Sequence, residues 1–187
     1  MRALIFAIIF IFSTSPFSLS SVISDIDKSN IELSTRFDGT SILVFGALSP
    51  ENDSTSLLIE IIGPSTSVNI RKKVQIWGIW VNKKIAYFKD IPSFYQISIS
   101  NPEHPILKKI ENKKLKSLFY DFLEINSTPK DGNDVEQYYD ELTRLKKKLG
   151  KLSTFEEQVN IIDKNLFSHK VNLPKKIHPG LYKIKMT

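Results

Sequence analysis

The side chains able to do chemistry are few and widely spaced. His104 and His178 each precede a proline in a loop, and His169 sits on the apolar parity of an alternating stretch. No two histidines have the i, i+4 spacing that places paired imidazoles on one helix face around zinc, so no metal site is expected. Asp131, Asp134 and Glu136 around Gly132 have a superficial likeness to a calcium loop, but the acids do not alternate and no glutamate closes the loop at its twelfth position. Helix capping explains them better. The absence of cysteine excludes thiol chemistry, disulfides and Cys-based metal sites. There is no Gly-x-Ser-x-Gly elbow, no Ser-x-x-Lys motif with a supporting partner and no glycine-rich phosphate loop. No catalytic residue and no cofactor is therefore expected.

Recognition chemistry remains. Arg71, Lys72 and Lys73 lead into the run Lys73 to Asn82, KVQIWGIWVN, which carries Trp77 and Trp80. With Asn82 at its end and Tyr95 on an expected neighbouring strand, these residues form a candidate aromatic and cationic surface for an anionic group or a partner. The competing expectation is that a helical insertion covers this face and buries the tryptophan in a second small core.

The elements that must position these residues follow from hydropathy. From Val74 to Val81 only Gln75 is polar, which suggests a central strand buried on both faces. A period of two then sends Trp77 and Trp80 to opposite faces, with Gly78 as a bulge or a close approach. Further strands are expected at Asn30 to Arg36, followed by an Asp38-Gly39 hairpin turn, then at Ser41 to Leu48, Leu57 to Ile62, Val68 to Ile70, Ile85 to Phe88 after a turn at Asn82-Lys83-Lys84, and Phe94 to Ser100. In the last of these, Tyr95, Ile97 and Ile99 alternate with Gln96, Ser98 and Ser100.

The period changes to that of a helix from Pro105 to Ile125, whose other face is lysine-rich, and again from Val135 through Tyr138, Leu142 and Leu145 to Leu149. Asn133 suits the N-cap of this second helix and Gly150 its stop. Ser153-x-x-Glu156 has the spacing of a capping box for a short third helix. Alternation returns at Phe167 to Leu173. Tyr182, after Pro179-Gly180, has the position of a tyrosine that ties a strand corner to the backbone in immunoglobulin-like sandwiches. The expected fold is mainly β with an α insertion: an immunoglobulin-like antiparallel β-sandwich with an inserted helical pair. Its strands fall within 30–100 and 166–187, its helical insertion spans 105–163, and residues 21–187 form a single extracytoplasmic domain.

Residues 1–20 read as a signal peptide, with Arg2 ahead of an apolar Ala3 to Phe12 and cleavage expected after about Ser20. The apolar run is about half the ~20 residues a membrane-crossing helix needs, which makes a retained anchor the lesser alternative. The net charge of +6 comes almost entirely from scattered lysines. Nucleic-acid binding concentrates basic residues on one face, so no nucleic-acid partner is expected, whereas attraction to an anionic membrane surface stays open.

Leu43-Val44-Phe45-Gly46-Ala47, Gly63-Pro64, Arg71-Lys72-Lys73, Gly78-Ile79-Trp80-Val81-Asn82 and Pro92-Ser93-Phe94-Tyr95 resemble, in order and spacing, an alphaproteobacterial family described as transmembrane proteins. Leu173-Pro174 and Gly180-x-Tyr182 extend the likeness over nearly the whole chain after the leader. The resemblance implies a signal peptide, a periplasmic β domain, a closing strand and one C-terminal membrane helix. It also implies gene neighbourhoods that contain TauE/SafE-type anion exporters, hence an accessory role beside an anion permease or another membrane or envelope protein. It brings no catalytic residues. No closing strand or apolar ~20-residue segment follows Thr187, so a shortened member is expected, either functional or a remnant. An exported hydrolase with an unrecognised site is the alternative, favoured if a cleft brings an acid to His169.

Overall fold

The computed structural model describes residues 22–49, 56–103, 134–163 and 165–187. In chain order these form β1 Val22–Ile26, β2 Thr40–Leu48, β3 Leu58–Ile62, β4 Ser65–Ile76, β5 Ile79–Pro92 and β6 Tyr95–Ile99. Helix α1 spans Asp134–Lys148, and β7 Leu152–Gln158, β8 Asn160–Ile162, β9 Leu166–Leu173 and β10 Lys183–Met186 follow it. One four-stranded sheet has the order β1-β2-β9-β8, a second β10-β3-β6-β7, and β4 pairs with β5 alone. The expected leader and the helix at 105–125 lie outside the described residues.

The alternation of β9 decides which side of the first sheet is inside. Phe167, His169, Val171 and Leu173 are buried while Leu166, Lys170 and Asn172 are exposed. Those inward side chains, with Val44 of β2, meet Ile59 and Ile61 from β3 of the second sheet. Two sheets thus share one apolar layer, which is the expected sandwich in its coarse form. The other face of the second sheet is covered as well. Tyr95, Ile97 and Leu152 pack there against Phe88 and Ile91 from the base of β5 and Tyr139 and Leu142 from α1. Enclosed between these layers, all five residues of β6 are buried.

Strand β6 therefore holds the central place that the sequence assigned to Lys73 to Asn82. The apolar run Val74 to Val81 is folded on itself instead, because Trp77 and Gly78 form a two-residue loop between β4 and β5 with Ile76 opposite Ile79. Both loop residues have positive φ, 51° at Trp77 and 79° at Gly78, the pattern of a type I′ hairpin turn. Gly78 is a turn residue, not a bulge.

Other expectations change as well. Asn30 to Arg36 is not a strand; the chain from Asp27 to Gly39 connects β1 to β2, and Val22–Ile26 supplies the edge strand. The separate strand at Ile85 to Phe88 is part of the long β5, running through Asn82-Lys83-Lys84 where a turn was expected. The capping box at Ser153 starts no helix: Leu152 to Gln158 is a strand because Tyr95, Gln96 and Ile97 of β6 offer a partner edge to Leu152, Ser153 and Thr154. This pairing is parallel, so the sheets are not wholly antiparallel. The chain reaches β7 from β6 through α1, a connection that permits a parallel return. In α1, Leu142 is buried as expected, but Leu145 and Leu149 are exposed and Tyr139 and Lys146 turn inward. Lys146 lies under the sheet and donates through Nζ to the Pro92 carbonyl. Its burial, with Lys151 nearby, pushes the ammonium down to about 8.

Two local expectations hold. Gly150, at φ 64°, ends α1 in a Schellman motif, donating to the Lys147 carbonyl (2.9 Å) while Lys151 donates to that of Lys146 (2.9 Å). Tyr182 ties the segment between β9 and β10 by donating its hydroxyl to the His178 carbonyl at 3.0 Å.

Candidate functional site

The hairpin of β4 and β5 has two halves of different character. Its base belongs to the body: Val68, Ile70, Phe88 and Ile91 join the layer under α1. Beyond a register irregularity between Ile70 and Arg71, every residue from Arg71 to Lys84 is exposed except the half-exposed Val74. At ~3.3 Å per residue, the six steps from Ile70 to Ile76 carry the tip roughly 20 Å past the last packed row. Trp77 is 97% and Trp80 66% exposed, so no helical cover buries either indole.

Strand register sorts the side chains into two faces. Ile76 pairs with Ile79, Val74 with Val81 and Lys72 with Lys83 on one face; Gln75 pairs with Trp80, Lys73 with Asn82 and Arg71 with Lys84 on the other. Both faces are aromatic or aliphatic at the tip and cationic nearer the body. Lys84 also places its ammonium 4.3 Å from the centre of the Tyr87 ring. Gln75 Nε2 donates to the Gly78 carbonyl at 3.3 Å and helps close the loop. No acidic residue occurs between Ile61 and Lys89, and among the described residues no carboxylate pairs with Arg71, Lys72, Lys73, Lys83 or Lys84.

Six of the seven expected surface residues, Arg71, Lys72, Lys73, Trp77, Trp80 and Asn82, therefore lie together on this arm. Tyr95 does not. It is buried in β6, and its hydroxyl donates to Glu60 Oε1 at 2.8 Å. Burial first, then the Glu60 contact and charge, raise the phenol far above its usual range. The sequence paired Tyr95 with the tryptophans because it treated β6 and the Trp strand as neighbours, whereas β6 lies between β3 and β7. Conversely, Lys83 and Lys84 were read as a turn, and the missed signal was that Trp-Gly can itself turn the chain.

A second polar feature lies between the sheets. Gln96 Nε2 is 3.0 Å from Glu157 Oε2 and 3.1 Å from His169 Nε2. The Glu157 carboxylate requires an N–H there, which fixes the amide orientation and makes His169 Nε2 an acceptor. His169 Nδ1 then carries the proton and donates to the Gln158 carbonyl at 3.2 Å. Burial holds this imidazole below its usual range, opposed by the Gln158 bond and the Glu157 charge. His169 is 1% exposed, and neither His169 nor Gln96 lines any of the described clefts. An acid does approach His169 through Gln96, but the imidazole itself is enclosed, while Glu157 is half-buried and also accepts from the exposed Asn172 at 3.2 Å.

A third feature is a cleft of about 360 Å³ between the 27–39 connection and the 174–182 corner, lined by Ile26, Ile31, Leu33, Ile42, Leu181 and Tyr182 among others. Its polar lining is Lys28, Ser29, Asn30, His178 and the Tyr182 hydroxyl that the His178 carbonyl already holds. Among the described residues no three His, Asp or Glu side chains gather as a metal site.

A family model described as "Putative transmembrane protein (Alph_Pro_TM)" matches residues 21–187. The chain belongs to this family. No curated protein and no solved structure matches it. Membership in Alph_Pro_TM bears out the resemblance drawn from the Gly-Ile-Trp-Val-Asn run and its companions, and it associates the fold with a membrane. Among the described residues no helix is long and apolar enough to cross one. In this family member the Gly-Ile-Trp-Val-Asn run forms one side of the projecting tip.

Proposed function

We propose that the chain is an extracytoplasmic, non-enzymatic interaction module of a membrane-associated protein, in which the sandwich is a rigid mount and the Arg71 to Lys84 arm makes the contact. One observation carries this reading: two tryptophans stand in solvent at the end of an arm that the body neither covers nor stabilises. Large exposed aromatic and aliphatic side chains in one place mark a surface meant for a partner. Strain points the same way. Trp77 has left-handed backbone, which bulky residues adopt at a cost and which Asn or Gly would accept more readily.

The setting we favour is the periplasmic side of the inner membrane, as an accessory beside an anion permease, the partner that the family resemblance implies. We take the scaffold to be immunoglobulin-like, supported by its two packed sheets and the Tyr182 tie, with α1 as one member of the inserted helical pair. The hydrolase alternative loses support from the enclosed position of His169.

Photo-cross-linking in cells tests the reading. A photoreactive residue at position 77 should give specific adducts, to a membrane protein or to lipid, that the same residue at the exposed Lys170 on the first sheet does not. Equal labelling at both positions, or none at 77, removes the arm as the contact surface.

A further inference from the structure

Resting on the arm as contact surface, we propose that its occupant is an anionic lipid bilayer, into whose interface the tip inserts while the lysines behind it bind headgroup phosphates. The arrangement along the arm carries this. Ile76, Trp77, Ile79, Trp80 and Val81 occupy the distal end, and Arg71, Lys72, Lys73, Lys83 and Lys84 the next rows toward the body. A protein pocket for one tryptophan would not require that order on both faces of the hairpin. A bilayer does: apolar groups enter to roughly 5–10 Å, indoles prefer the headgroup level, and basic side chains reach the phosphates above them. Four steps separate the Ile76 row from the Lys72 row, roughly 13 Å along the strand, so a tip seated to that depth leaves the cations just above it, at the headgroups.

The cation rows are themselves informative. Arg71 faces Lys84 and Lys72 faces Lys83 directly across the ladder. Like charges in directly opposed positions destabilise a two-stranded ribbon, and no acidic residue from Ile61 to Lys89 offsets them. An anionic surface supplies the missing countercharge at several points at once. A second copy of the arm does not, because it would bring five more cations to the same place.

The chain carries its own probe, since Trp77 and Trp80 are its two tryptophans. Emission from the full chain therefore reports the tip alone, whatever the N-terminal apolar run does. Adding vesicles of phosphatidylglycerol and phosphatidylcholine should shift that emission to shorter wavelength and protect it from acrylamide, with both effects reduced by salt and by pure phosphatidylcholine. Lys72→Ala with Lys83→Ala should weaken vesicle affinity about thirty-fold, at roughly fivefold per lysine. Both positions are exposed, and an unchanged circular dichroism spectrum verifies the fold. An unshifted spectrum overturns the proposal, as does a shift equal on neutral vesicles and indifferent to salt. A shift that follows protein concentration without lipid also overturns it and identifies a second copy. A protein adduct at position 77 together with an unshifted spectrum would end the lipid proposal but leave the arm as a contact surface; loss of both ends both.

Discussion

Tyr95 to Ile99 and Val74 to Val81 are both stretches rich in aromatic and β-branched residues, yet one is a fully buried strand and the other an exposed hairpin tip. Judged by hydropathy the order should be reversed, since Gln96 and Ser98 interrupt β6 while only Gln75 interrupts the other run. What separates them is company. β6 has β3 on one edge and β7 on the other, with a layer against each face. The hairpin arm has its own two strands and nothing more. An apolar strand is buried by what packs on it, and a two-stranded ribbon by itself has no inside.

The largest test of that contrast compares truncations. Ile97→Ala in β6 is expected to lower the free energy of unfolding by ~2–5 kcal/mol in urea titrations. Trp77→Ala and Trp80→Ala, although they delete larger side chains, should each change it by no more than about 0.5 kcal/mol. A substantial loss from either tryptophan would mean that the arm is covered. A smaller effect sharpens the account of the polar side of β6. Gln96→Ala removes the donor shared by Glu157 and His169 and is expected to cost ~1–3 kcal/mol.

The same layer predicts a pH response. Because burial lowers the folded pKa of His169, the unfolded chain takes up its proton first. The stability that the neutral imidazole contributes is present above its unfolded pKa of about 6.5 and is lost as pH falls below that. Unfolding midpoints measured from pH 7.5 to 5 should follow this decline, and His169→Asn should flatten it. Confined to the arm, Gly78→Ala should cost its turn about 1 kcal/mol through the left-handed backbone, there being no atom within 4 Å of the added methyl. Amide exchange at Val74 and Val81 should quicken while the global midpoint stays in place.

Much of the fold was legible where the cause is local. Gly150 stops α1 through its own backbone freedom, and Tyr182 reaches a carbonyl four residues away. Strand alternation at Phe167 to Leu173 also survives intact. What sequence could not disclose depends on distant partners. Alternation alone does not say that the polar parity of β6 is buried, where Glu157 and His169 arrive from about sixty and seventy residues later to satisfy Gln96. Ser153 to Glu156 spells a helix start, and only the free edge of β6 makes it a strand. The site was half readable: Arg71 to Asn82 had the right composition, but Tyr95 was added to it and a Trp-Gly turn overlooked. A tryptophan in a position suited to asparagine is a turn signal that propensity discounts.

Val44 of β2 is registered against His169 of β9, 125 residues further along (169 − 44). β6 likewise waits for β7 from beyond α1. Neither four-stranded sheet can then be completed before the second half of the chain arrives, and synthesis from the N-terminus leaves β2 and β6 each with one bare edge until it does. Completion of both sheets must wait until the segment through Met186 has emerged, and pairing across so long a stretch of chain favours slow, late folding.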